Sequence, residues 1–97
     1  MSVIKIAVIG LGYVGLPLAR LFATKYPVIG FDINEGRIKE LNTGIDSTLE
    51  VEEDILQAVL SDSPSMDTGL FCTNNIENIK DCNYYVVTVP TPVDSTN

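Results

Sequence analysis

Between Val3 and Ile9 the chain is short, β-branched and apolar, broken once by Lys5, and it stops at Gly10. Such a run reads as a strand buried on both faces of a parallel sheet. From Tyr13 the period lengthens: Val14, Leu18, Leu21 and Phe22 stand at i, i+4, i+7 and i+8 and predict a helix that lays this stripe on the sheet. Pro17 falls in its early turns, where a missing N–H costs least. Pro27 to Phe31 is a second short apolar run, ending at Asp32. Asn34 as N-cap, Ile38 and Leu41 three apart, and Gly44 as a stop predict a helix over 35–43. Glu50 to Leu60 reads as a third helix with Ile55, Leu56, Val59 and Leu60 apolar; Glu52, Glu53 and Asp54 load its first half, which suits the helix dipole. The polar stretch Ser61 to Thr68, containing Pro64, reads as a loop before a third strand, Leu70 to Thr73. A short helix over Ile76 to Asp81 and a fourth strand over Tyr84 to Val89, ended by Pro90, complete the pattern, without internal repeat or low-complexity segment.

Alternating short strands and helices predict an α/β fold, the N-terminal part of a Rossmann-type doubly wound parallel sheet. Right-handed crossovers place successive parallel strands side by side, and the expected strand order is 3-2-1-4. That order puts a topological switch between the first and fourth strands, outside whose carboxyl ends ligands bind. The 97 residues suffice for one domain.

Charge narrows the partners. The net charge is −7, and nine carboxylates lie between Glu40 and Glu77 with no Lys or Arg among them. Nucleic acid, which is held through many Lys and Arg against phosphates, is not an expected partner. Cys72 and Cys82 have neither CxxC spacing nor a histidine to complete a zinc site, and read as reduced structural thiols of a cytoplasmic protein. Lys5 followed by the uncharged run Ile6 to Ala19 imitates a signal peptide, but three glycines and a helical period explain it better. Nothing reaches membrane-spanning length, and no membrane partner is expected.

Candidate chemistry concentrates at the first turn. Gly10-Leu11-Gly12-Tyr13-Val14-Gly15 is G-x-G-x-x-G placed directly after a strand and before a helix. Gly10 permits the tight turn, Gly12 lets backbone approach a pyrophosphate, and Gly15 lets the helix pack close to the strand. The helix N-terminus favours a diphosphate there. Asp32, at the end of the second strand, stands where a carboxylate accepts from adenosine ribose hydroxyls and repels a 2′-phosphate, which points to NAD rather than NADP. Arg37 either reaches the adenosine or pairs with Glu40 or Asp32; a 2′-phosphate role for it conflicts with Asp32. At the strand exit Val89-Pro90-Thr91-Pro92, the prolines fix the backbone and Thr91 offers a hydroxyl or N–H to the cofactor, or serves only as a stiff turn.

Three segments carry a family resemblance: Ile6 to Pro17 around the glycine motif, Gly30-Phe31-Asp32-Ile33-Asn34 with Arg37, and Val87-Thr88-Val89-Pro90-Thr91-Pro92. Together they resemble the N-terminal segment of the UDP-glucose/GDP-mannose dehydrogenases over essentially the whole chain. The wording is most similar to the bacterial UDP-N-acetylhexosamine 6-dehydrogenases that feed surface polysaccharide synthesis, with UDP-glucose 6-dehydrogenase the alternative. The resemblance implies NAD contacts at Val14, Asp32, Arg37 and Thr91. It also implies a full-length enzyme that oxidises a sugar C6 alcohol to a carboxylate in two NAD-dependent steps through a cysteine thiohemiacetal. That cysteine and its supporting Lys, Asp and Glu lie beyond position 97 in the family, so no catalytic or metal-ligating residue is assigned here. The expectation is therefore a fragment with the NAD site and no turnover, the UDP-sugar being a partner of the full-length enzyme only. A stand-alone adenosine-nucleotide-binding module is the other reading, and a different NAD oxidoreductase such as a 3-hydroxy acid dehydrogenase is a third. An exposed edge on strand 84–89 is expected to make a homo-oligomer.

Overall fold

A computed structural model describes residues 4–12, 14–46, 51–61, 63 and 67–88. Among these residues four parallel strands form one sheet: β1 (Ile6–Ile9), β2 (Pro27–Phe31), β3 (Gly69–Thr73) and β4 (Tyr84–Val87), in the order β3-β2-β1-β4. Both neighbours run in register with β1, Ile6 facing Val28 on one side and Tyr84 on the other. β2 carries β3 from Pro27 opposite Gly69 to Phe31 opposite Thr73. The expected order and the span of β2 agree with this sheet; β1 and β4 are shorter than their apolar runs, and Val3, Glu50 and Val89 lie outside the described residues.

The connections are α1 (Gly15–Ala23), α2 (Glu35–Asn42), α3 (Glu53–Val59) and a 3₁₀ turn at Ile76–Ile79, where a short helix to Asp81 was expected. Local chemistry explains the α2 ends. The Asn34 side chain accepts from the Arg37 N–H as N-cap, and Gly44 leaves the helix with φ +85°, the left-handed region that glycine enters without Cβ strain. In α3 the acidic pair Glu53 and Asp54 occupies the first turn, as the dipole favours, and Leu56 is the residue it buries.

Alternation along the strands sorts the core into two layers. Ile6, Val8, Val28, Leu70 and Cys72 face Leu16, Ala19 and Ala23 of α1, Ile38 and Leu41 of α2, and Leu56 of α3. Ala7, Ile29 and Phe31 face the opposite way, onto Ile79 of the 3₁₀ turn and Cys82. The side change follows from handedness: β4 lies on the far side of β1 from β3, so a right-handed crossover from β3 to β4 passes over the second face.

α1 meets the sheet only partly by the expected stripe, of which Phe22 packs against the core. Val14 and Leu21 are more than half exposed, whereas Gly15, Leu16, Ala19 and Ala23 are buried. A Cβ on Gly15 would stand 1.6 Å from the Gly10 carbonyl oxygen, so the helix lies too close to the loop for any side chain at that point. Small residues at i, i+4 and i+8 (Gly15, Ala19, Ala23) carry the contact, and the larger Val14 and Leu21 turn outward.

Candidate functional site

The carboxyl ends of β1, β2 and β4 meet at the glycine loop. Gly10 has φ +97° and donates its N–H to the Phe31 carbonyl at 2.8 Å. From β4, Thr88 N–H donates to Ile9 O at 2.8 Å and its hydroxyl donates to Gly10 O at 2.8 Å. A Cβ on Gly10 would come within 2.2 Å of Thr88 O, so this turn admits only glycine. The loop is thus tied to both flanking strands before it enters α1.

Leu11 fixes the next step. Its side chain is fully buried against Gly30, where a Cβ would stand 3.1 Å from both Leu11 methyl carbons. Its N–H donates to Asp32 Oδ2 at 2.9 Å, and its carbonyl accepts from Arg37 Nε at 2.7 Å. Asp32 Oδ1 accepts from Asn34 N–H at 2.9 Å. A carboxylate offers about four acceptor positions, so two backbone donors leave Asp32 room for ligand hydroxyls. Ile33, the next residue, is 85% exposed.

Gly12 is the open point. Nothing lies within 4 Å of where its Cβ would be, and among the described residues neither its N–H nor that of Val14 donates to a protein acceptor. Free N–H groups at a helix N-terminus, with no side chain in the way, fit a diphosphate. Gly10, Leu11, Gly12, Val14, Gly15, Asp32 and Arg37 are therefore brought together, while Tyr13, Pro90 and Thr91 lie outside the described residues.

Arg37 is anchored rather than solvated. Its side chain is 10% exposed; Nη1 donates to Asp46 Oδ1 at 2.8 Å and to Glu40 Oε2 at 3.1 Å. Of the two pairings read from spacing, the one with Glu40 forms; the stronger partner, Asp46, had not been singled out. Thr88 was also missed as an anchor. Neither carries a local signal, since Asp46 reads as an ordinary acid after a helix stop and the Thr88–Gly10 bond spans 78 positions.

The cysteines stand apart from this chemistry. Burial pushes the Cys72 thiol up to about 12, against a smaller opposing pull from the Arg37 guanidinium. Burial also raises Cys82, with Lys5 opposing and Asp81 reinforcing. A thiol held protonated in this way is a poor nucleophile.

The model of the UDP-glucose/GDP-mannose dehydrogenase family NAD binding domain matches residues 4–97. The chain belongs to that family. It is 51% identical over 94 residues, 97% of the chain, to UDP-N-acetyl-D-glucosamine 6-dehydrogenase of Pseudomonas aeruginosa, and covers 20% of that protein. With the enzyme of the same name from Salmonella typhi it shares 48% over 92 residues, covering 95% of the chain and 20% of the relative. The structure of UDP-D-ManNAc dehydrogenase from Pyrococcus horikoshii superposes with a TM-score of 0.80 at 39% identity, over 94% of this chain and 21% of that one. The chain thus spans about a fifth of the length of these relatives, and that fifth is the family's NAD-binding part.

Proposed function

We propose that this chain holds the adenosine-diphosphate half of NAD for an enzyme that oxidises the C6 alcohol of a UDP-N-acetylhexosamine to the carboxylate with two NAD. The single observation that carries the reading is Gly12, open on its ligand side, in a loop whose preceding residue is pinned between Asp32 and Arg37. In this reading the Gly12 and Val14 N–H groups bind the diphosphate, and Asp32 accepts from the ribose hydroxyls. The exposed Ile33 flanks the adenine, and Thr91 offers its hydroxyl or N–H to the cofactor after Pro90. Bound NAD supplies the hydride acceptor; this chain binds it, and the groups that turn the sugar over come from outside these 97 residues. The names of the relatives favour an N-acetylhexosamine over glucose as the sugar. A cytoplasmic setting suits the two unpaired thiols. A second copy of the chain pairs along the Tyr84–Val87 strand.

Calorimetric titration of NAD and NADP, with Asp32→Ala as control, tests the site. The expected result is saturable NAD binding, weaker NADP binding, and loss of NAD affinity in the variant. No heat at millimolar NAD overturns the reading for this chain.

A further inference from the structure

Asp46 follows the Gly44 turn at the end of α2, far in sequence from the glycine loop, and its side chain is fully buried. One oxygen accepts from Arg37 Nη1 at 2.8 Å and the other from the Val51 N–H at 3.0 Å. Arg37 in turn donates through Nε to the Leu11 carbonyl at 2.7 Å, and the Leu11 N–H donates to Asp32 at 2.9 Å. A continuous chain of charge-assisted bonds therefore runs from the Val51 amide, through two buried charges, into the residue between Gly10 and Gly12. Such bonds are shorter and stronger than neutral ones.

Two carboxylates share the same guanidinium nitrogen. Asp46 holds it from inside with no exposed side-chain surface, and Glu40 from the outer side at 25% exposure. A planar guanidinium has a fixed fork, so whichever acid fixes Nη1 also fixes where Nε points. With Asp46 in place Nε meets the Leu11 carbonyl. Without that charge Nη1 is left to Glu40 alone, the hold on Nε loosens, and Leu11 loses one of its two anchors.

We infer that Asp46 is a positioning residue for the NAD loop: through Arg37 it sets the orientation of the Leu11–Gly12 peptide that presents the diphosphate-binding N–H. This rests on the reading of that loop as the diphosphate cradle. The test is Asp46→Asn, with Glu40→Gln as control, read in two ways on the 97-residue chain. The first uses NMR without ligand. Asp46→Asn is expected to shift the Leu11 and Gly12 amides and to lose the protected Arg37 Nε–H signal, while the β-sheet amides keep their positions. Glu40→Gln leaves both signals in place. The second is NAD titration, where Asp46→Asn weakens binding by roughly tenfold, about 1.4 kcal/mol. Because removing one partner of a buried pair is costly, Asp46→Leu with Arg37→Met provides a variant whose core stays uncharged and filled; its Leu11 and Gly12 amides are expected to shift in the same way. Unmoved loop amides in these variants overturn the proposal, as does wild-type NAD affinity in a folded Asp46→Asn protein. If the unsubstituted chain does not bind NAD, the cradle reading fails, and the amide shifts still decide whether Asp46 holds the loop.

Discussion

A methyl group added to Gly12 and one added to Gly15 meet opposite surroundings. At Gly12 there is open space, and at Gly15 the Gly10 carbonyl oxygen stands 1.6 Å away. Gly12→Ala is therefore expected to melt within a degree or two of the parent, on the order of the small effects of surface changes, while losing NAD affinity because its Cβ enters the diphosphate's approach. Gly15→Ala is expected to lose about 3 kcal/mol or more, since neither backbone can yield without lifting α1 from the loop. Thermal melting and NAD titration of both variants separate the two roles; equal destabilisation would contradict the open face at Gly12. Cys72 gives a second prediction at this scale. Its folded thiol holds its proton up to about 12 against an ordinary 9.0, so the folded state binds that proton more tightly than the unfolded chain. The stability this contributes is complete below pH 9.0 and is lost as pH rises toward about 12. Denaturant titrations at pH 8 and pH 10.5 are expected to show that loss, and Cys72→Ala to flatten it. Of the site residues, the placement of the three glycines and Asp32 was legible because it is set by position relative to a strand end. Arg37 stayed ambiguous because its decisive partners, the Leu11 carbonyl and Asp46, are 26 and 9 positions away with nothing local to announce them.

At the scale of elements, strands and helix ends were readable and one helix face was not. β2 begins at Pro27 and ends at Phe31 as its apolar run does, and α2 starts at the N-cap that Asn34 offers. For α1 half of the expected stripe, Val14 and Leu21, turns outward, because hydrophobic bulk is the usual guide and here closeness overrides it. The glycine motif itself held the answer: a third glycine that lets the helix approach the strand must be on the face that touches it. That close approach is secured from β4, where Thr88 ties its hydroxyl to the Gly10 carbonyl beside the same contact. Thr88→Val keeps the shape and removes the donor. The variant is expected to be less stable by about 1 kcal/mol, the net worth of a hydrogen bond, and to bind NAD more weakly because the start of the loop is freed. Urea unfolding and titration check both parts; an unchanged midpoint with unchanged affinity would mean that the strand-end amide bond from Thr88 N–H suffices alone.

For the whole molecule, the two faces of the sheet are unequal. Among the described residues three helices cover one, and only the 3₁₀ turn and Cys82 pack on the other. The imbalance is greatest at β4, an edge strand in the order β3-β2-β1-β4, where Tyr84 is 55%, Tyr85 49% and Val87 65% exposed. One tyrosine is already committed, its hydroxyl donating to the Ile79 carbonyl at 2.6 Å, so its ring lies across the turn rather than free to leave the surface. Val87 has no such duty, and among the described residues β4 pairs only with β1. An apolar strand edge of this kind pairs with another unless charge or proline blunts it. A second copy offers the same edge, and two copies related by a twofold axis bury both Val87 side chains with one pairing. Sedimentation velocity at micromolar concentration is therefore expected to give a dimer, and Val87→Lys a monomer that melts as the parent does, because the substituted side chain is mostly in solvent. A parent chain that sediments as a monomer across that range would rule the pairing out, whereas a dimer indifferent to Val87→Lys would move the interface to another surface.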